Sequence, residues 1–239
     1  RSRGLSFLTV LIITFSIAAC SSTLFETPEQ VASEPSFPSK TSLVEKNSEI
    51  LVGAQQTNIY LPMLAGKRVG LVVNQTSRVS GVHLVDKLIA SDIDVKAIFA
   101  PEHGFRGDRD AGEKFHSHVD EKTGIPLVSI YGKNRKPSAD VLANIDVIIF
   151  DIQDVGVRFY TYISSMHYMM EAAADEGISF IVLDRPNPNA AFVDGPILEP
   201  EFSSFVGMHK IPLLHGMTVG ELALMFVGES WLSSNGELN

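Results

Sequence analysis

The stretch Val95-Lys96-Ala97-Ile98-Phe99-Ala100-Pro101-Glu102-His103-Gly104-Phe105-Arg106-Gly107 places a carboxylate, an imidazole and a guanidinium within six residues of an apolar run that ends at Pro101. The run reads as a buried strand, and the glycines between the polar residues give the backbone freedom to turn them into one space. Glu102 is a titratable acid, His103 a neutral donor and Arg106 an anion binder, a mixture that suits chemistry better than a solvated turn. A second constellation is Asp151-Ile152-Gln153-Asp154-Val155-Gly156-Val157-Arg158-Phe159-Tyr160-Thr161-Tyr162. Its two acids, arginine and tyrosines could hold a hydroxylated ring, with the aromatic faces stacking and the polar groups bonding its edges. The same residues also suit a helix N-terminus, with Asp154 offsetting the helix dipole and the tyrosines in the core.

Both constellations follow strands. Apolar runs at Val69–Val73, Val95–Ala100, Leu127–Tyr131, Val147–Phe150 and Phe180–Leu183 alternate with helical spacing over Gly81–Ser91, Ser138–Ile145 and Tyr162–Glu176, the last closed by Gly177. Ser138 is placed as the N-cap of its helix. Strands that are apolar throughout, separated by amphipathic helices, predict an α/β fold: a Rossmann-like, mainly parallel sheet with helices on both faces. Ligands of such sheets sit at the carboxyl ends of the strands. Those ends read Asn74-Gln75-Thr76, Glu102-His103, Tyr131-Gly132, Asp151 to Asp154, and Asp184-Arg185-Pro186-Asn187. A shared polar cleft follows. There is no Gly-x-Gly-x-x-Gly and no Gly-Lys-Ser/Thr loop, so neither a dinucleotide nor a P-loop nucleotide is expected, and no cofactor is called for.

The 239 residues are 45% hydrophobic, enough for a full core, and carry a net charge of −9. No cluster of Lys and Arg tracks a phosphate backbone, so nucleic acid is not an expected partner. Arg1 and Arg3 precede an apolar run from Leu5 to Ala19, too short to span a membrane with ease and ending in small residues, as a secretory signal does. Cys20 follows it and is the single cysteine. Ile17-Ala18-Ala19-Cys20 resembles the lipobox of bacterial lipoproteins, which implies a lipidated Cys20 and export to a membrane surface. Ser21 after the cysteine points, by the same resemblance, to the outer membrane. The expected organisation is residues 1–20 as signal peptide outside the fold, 21–47 as flexible tether, 48–205 as the Rossmann-like subdomain and 206–239 as the start of a smaller second one. There Thr218-Val219-Gly220-Glu221 forms a capping box. The chain stops where a further element is expected, which reads as truncation.

Together, Asn74-Gln75-Thr76, Ala100 to Gly107, Phe150 to Tyr162, Leu183 to Pro188 and Leu214-His215-Gly216-Met217-Thr218 resemble the exo-β-N-acetylmuramidases of bacterial peptidoglycan recycling, a family long known only as a conserved domain of unknown function. The resemblance implies a cleft between a Rossmann-like subdomain and a smaller one, removing N-acetylmuramic acid from the non-reducing end of peptidoglycan-derived disaccharides or muropeptides. It puts the family's glutamate on Glu102 as catalytic acid. Asp151, Asp154 or Asp184 could supply the second carboxyl group that glycoside hydrolysis usually needs. Asn74, Gln75, His103, Arg106, Arg158, Tyr160, Tyr162, Asp184, Asn187 and His215 are the candidate substrate-binding residues, with Arg106 or Arg158 facing the lactyl carboxylate. Two other readings are a metal-dependent hydrolase built on Glu102, His103, Asp108, Asp110, His116 and His118, whose spacing fits no closed ligand pattern, and a lipid-anchored wall-binding module.

Overall fold

The computed structural model describes residues 10–12, 50–107 and 118–233. Its elements in chain order are β1 (Val10–Ile12), α1 (Thr57–Leu64), β2 (Arg68–Val73), β3 (Arg78–Val79), β4 (Val82–His83), α2 (Leu84–Ile89), β5 (Asp94–Ala100), β6 (His118–Val119), β7 (Pro126–Ser129), α3 (Ala139–Leu142), β8 (Val147–Asp151), α4 (Tyr162–Glu176), β9 (Ser179–Val182) and α5 (Val219–Gly228). The central sheet runs β1-β9-β8-β2-β5-β7-β6 and is parallel except for β6. This is the expected Rossmann-like α/β arrangement.

Both faces are covered, as the unbroken apolar strands require. Val72, Phe99, Ile148, Phe150 and Phe180 point to the side packed by Leu142 of α3, Ile163 and Met166 of α4, and Leu222 and Phe226 of α5. Leu71, Val73, Ile98, Ile149 and Ile181 point to the side packed by Tyr60 and Leu64 of α1 and Leu84 and Leu88 of α2. The 206–233 stretch thus shares the sheet's core through Val219, Leu222, Ala223 and Phe226. The capping box forms, with the Glu221 N–H donating to Thr218 Oγ1 and Thr218 N–H to Glu221 Oε2. Gly177 closes α4 at φ 67°.

Two local expectations are corrected. The helix expected from Gly81 begins at Leu84, because Ser80 and Gly81 both take positive φ and turn the chain into the β3–β4 hairpin. Ser138 stands at the α3 N-cap, but its hydroxyl makes no capping bond, and the helix is only four residues long. At one edge of the sheet Val10–Ile12 lie parallel to β9, Val10 opposite Phe180 and Ile12 opposite Val182. An open sheet edge presents unpaired N–H and C=O groups, which an apolar β-branched segment satisfies readily. Cys20 and the 21–47 tether lie outside the described residues.

Candidate functional site

Because β2, β5, β7, β8 and β9 are parallel, their carboxyl ends emerge along one edge. Neighbouring register pairs Val73 with Asp151 and Ala100 with Ser129, so the residues just beyond these pairs converge. Glu102 is half-buried there, and the Tyr131 hydroxyl donates to its Oε1 at 3.0 Å. After Glu102 the chain reverses through His103 at φ 71° and Gly104 at φ 73°, a left-handed pair in which a histidine is uncommon. Gly107, at φ 74°, lets this loop rest on Gln75, since a Cβ there would lie 2.9 Å from the Gln75 Cβ.

The tyrosines of the second constellation join the same cluster. Tyr160 and Tyr162 meet edge to face at 4.8 Å. Burial foremost pushes the Tyr162 phenol up to about 12, with the Tyr160 hydroxyl and the Glu102 carboxylate adding to it. Burial also raises the Tyr160 phenol, and Asp154 adds to that rise. Asn74 Oδ1 accepts from Thr76 N–H at 2.9 Å and the Thr76 hydroxyl at 2.6 Å, and that hydroxyl accepts from Gln153 N–H at 3.0 Å, tying the β2 and β8 ends together. Asn74 Nδ2 and Gln75 Oε1 are buried at this edge without a well-formed partner among the described residues.

Other candidates are engaged by the protein itself. Asp151 is fully buried and accepts from Arg185 Nε at 2.6 Å and Nη2 at 3.0 Å. Burial pushes its carboxyl upward and the guanidinium opposes that. Asp184 accepts from the Thr218 hydroxyl at 2.7 Å and Gly220 N–H at 2.9 Å, holding the start of α5 against β9. Its carboxyl is raised by burial, against those bonds. Asn187 donates to Met217 C=O and accepts from Asn189 N–H.

The two cations expected to face a substrate anion are engaged by groups of the protein. Arg106 lies over the Phe105 ring and pairs with Asp120 at 3.4 Å and Asp86 at 3.7 Å. Arg158 donates to Pro196 C=O at 2.7 Å and Ile211 C=O at 2.6 Å, fastening the loop between β9 and α5.

Asp154 differs from the other two aspartates. Its Oδ2 accepts from Gly156 N–H at 2.7 Å and lies 3.5 Å from His215 Nε2. His215 Nδ1 accepts from Met217 N–H, so in the neutral ring the proton sits on Nε2, toward Asp154. Asp154 Oδ1 has no hydrogen-bond partner among the described residues.

Sequence reading passed over two residues: Tyr131, visible only as an uncharged strand end, and Arg185, quoted within a motif but given no role. Of the metal-site residues considered, Asp108, Asp110 and His116 lie outside the described residues. Among the described residues no group of three or more His, Cys, Asp or Glu could hold a metal ion, and no helix is long and apolar enough to cross a membrane.

A cavity of about 500 Å³ lies elsewhere, lined by His167, Tyr168, Glu171, His209 and Trp231 among others. Its polar groups serve one another. His167 Nε2 lies 3.2 Å from the Glu171 carboxylate and must donate to it, so His167 Nδ1 accepts from His209 Nε2 at 3.0 Å. His209 stacks on Phe226 at 4.0 Å, and burial above all drives it down to about 3, while burial lowers His167 too. Both rings fold neutral and charge when the chain unfolds, so their stabilisation is complete above about pH 6.5 and is lost as pH falls toward their folded values. At pH 5 the His209 contribution alone should be about 2 kcal/mol below that at pH 7.5. Urea unfolding across pH 7.5 to 5 checks this, and His209→Gln should flatten the slope.

Set beside known proteins, the chain is 54% identical over 172 residues to a protein from Bacillus subtilis (strain 168) named peptidoglycan beta-N-acetylmuramidase NamZ, covering 70% of this chain and 41% of that one. Two solved structures of DUF1343 family proteins from Bacteroides fragilis NCTC 9343 are similar. One is 47% identical with a TM-score of 0.69, covering 76% of this chain and 48% of the other. The second is 44% identical with a TM-score of 0.71, covering 77% and 47%. The chain therefore spans somewhat less than half the length of these relatives. Residues 69–238, which carry every strand end of the site, match the family model described as exo-beta-N-acetylmuramidase NamZ, N-terminal, and the chain belongs to that family.

Proposed function

We propose that this chain carries the proton-donating side of a glycoside hydrolase that releases N-acetylmuramic acid from the non-reducing end of peptidoglycan fragments. The observation that supports it most is that Glu102 stands at the carboxyl-end edge of the parallel sheet, among Tyr131, Tyr160 and Tyr162, in a chain so similar to a named muramidase. In this reading the Glu102 carboxyl gives its proton to the glycosidic oxygen as the bond to the anomeric carbon breaks. Asp154 takes the role of second carboxylate, because it alone of the three aspartates has an oxygen without a hydrogen-bond partner among the described residues. The tyrosine rings offer faces and hydroxyls to the sugar. Turnover of a chromogenic N-acetylmuramic acid β-glycoside by the full-length protein tests this. Release of chromophore with preference over the N-acetylglucosaminide is expected, and no turnover would overturn the reading.

The protein is further proposed to be exported and held at a bacterial membrane surface, the outer membrane favoured, through Cys20. The support is the Ile17-Ala18-Ala19-Cys20 sequence. A multiply acylated cysteine anchors stably where one chain would not. Cys20→Ala should move the protein from the membrane to the soluble fraction, and retention in the membrane would sink the proposal.

A further inference from the structure

We propose that Tyr131 is a positioning residue for Glu102: its hydroxyl holds one carboxyl oxygen and stabilises the carboxylate that remains after the proton has been given to the leaving group. The inference rests on the reading of Glu102 as proton donor. It starts from register. Ala100 of β5 lies opposite Ser129 of β7, and the ladder continues past the named strands, Ile130 N–H donating to Ala100 C=O at 3.0 Å. Glu102 and Tyr131 each stand two residues beyond that pair, on neighbouring parallel strands about 4.8 Å apart. The backbone thus delivers the phenol to the carboxylate, at 3.0 Å from Oε1.

The phenol is itself held. Its ring meets Phe205 at 6.3 Å, and Phe205 is covered by the Arg135 guanidinium at 4.2 Å and stacked by Tyr168 at 6.3 Å. Burial and then the Glu102 carboxylate keep the Tyr131 proton on its oxygen, so Tyr131 acts as a donor. With Oε1 occupied in this way, the proton to be transferred is directed to Oε2. Among the described residues, Tyr162 from the start of α4, Arg135 from the segment after β7 and His103 from its own turn are titratable or charged groups beside this pair.

A donated hydrogen bond favours the ionised carboxyl. In Tyr131→Phe the ring stays against Phe205 and only the hydroxyl is lost. The alkaline limb of the kcat profile on a natural disaccharide should then move up by roughly 0.5–1 pH unit, and kcat should fall about three- to tenfold with KM little changed. The loss should shrink for an aryl leaving group that needs little protonation. Replacing Tyr131 by 3-fluorotyrosine, a stronger donor of nearly the same shape, should move the limb the opposite way even if the Phe variant folds poorly. A limb that stays fixed in both variants, or a kcat loss equal for both leaving groups, would overturn the proposal. If Glu102→Gln retains activity, the reading of Glu102 fails instead; if it is inactive while both Tyr131 variants keep the parent profile, only the role of Tyr131 fails.

Discussion

Glu102→Gln is expected to lose on the order of 10²–10⁴ in kcat on a natural disaccharide while folding as the parent does. The amide keeps the shape of the carboxyl and can still accept the Tyr131 hydroxyl at the position of Oε1, so substrate binding should survive. What it cannot do is deliver a proton to the glycosidic oxygen. The loss should be smaller for an activated aryl glycoside, whose leaving group departs without one. That contrast separates a proton donor from a residue that only shapes the cleft. Glu102 is half-buried and stands at the end of β5, outside the apolar clusters on either face of the sheet, so the substitution should disturb stability little. If the Gln variant turned over disaccharide within about threefold of the parent, Glu102 would be a structural carboxylate. The acid would then have to be sought at Asp154, the one aspartate of the three with an oxygen that no described protein group holds.

The order of strands was legible because each is apolar on both faces, a pattern that only a sheet covered on both sides produces. From parallel strands it follows that Asn74, Glu102, Tyr131, Asp154 and Asp184 share an edge, and they do. What sequence could not show is which of these face the cleft and which face one another. Asp151 and Asp154 are three residues apart and of one type, yet the first is sealed against Arg185 and the second is not. That division depends on a partner 34 residues away. Arg106 and Arg158 looked suited to a substrate anion for a similar reason: a cation next to a motif carries no mark of whether Asp86, Asp120 or a carbonyl of a distant loop will engage it. Tyr131 was passed over because no acid or cation stands beside it in the strand-end sequence Tyr131-Gly132, and its meaning comes from the β5–β7 register. The β3–β4 hairpin was hidden because Val82 and Val85 also fit a helical spacing, and the two positive φ angles at Ser80 and Gly81 decided the matter locally.

Arg185→Met is expected to cost about 3–5 kcal/mol in unfolding free energy, the range for breaking a buried ion pair from one side. Asp151 has no exposed surface, and Arg185 is nine-tenths buried. Among the described residues the guanidinium is the one cation bonded to that carboxylate. Without it the Asp151 carboxyl, already raised by burial, should rise further and take up a proton in the folded state. A folded-state value above the unfolded one means that the stabilisation is present below about pH 4 and is lost as pH rises through the folded value. The deficit of the variant should therefore be smallest in acid and grow toward neutrality, where a merely lost packing contact would be independent of pH. Asp151→Leu combined with Arg185→Met removes both charges and should recover much of the loss, since apolar replacement of a whole buried pair is often close to neutral. Activity should not return with it. The Ser77 hydroxyl donates to Asp151 C=O and accepts from Asn74 N–H, and Arg185 Nη2 reaches Arg78 C=O at 3.4 Å. The ion pair thus fixes the turn after β2 that carries Asn74 and Gln75 beside Glu102. A double variant restored in both stability and kcat would show that the pair only holds the fold. One restored in stability alone would show that it also sets the geometry of the cleft.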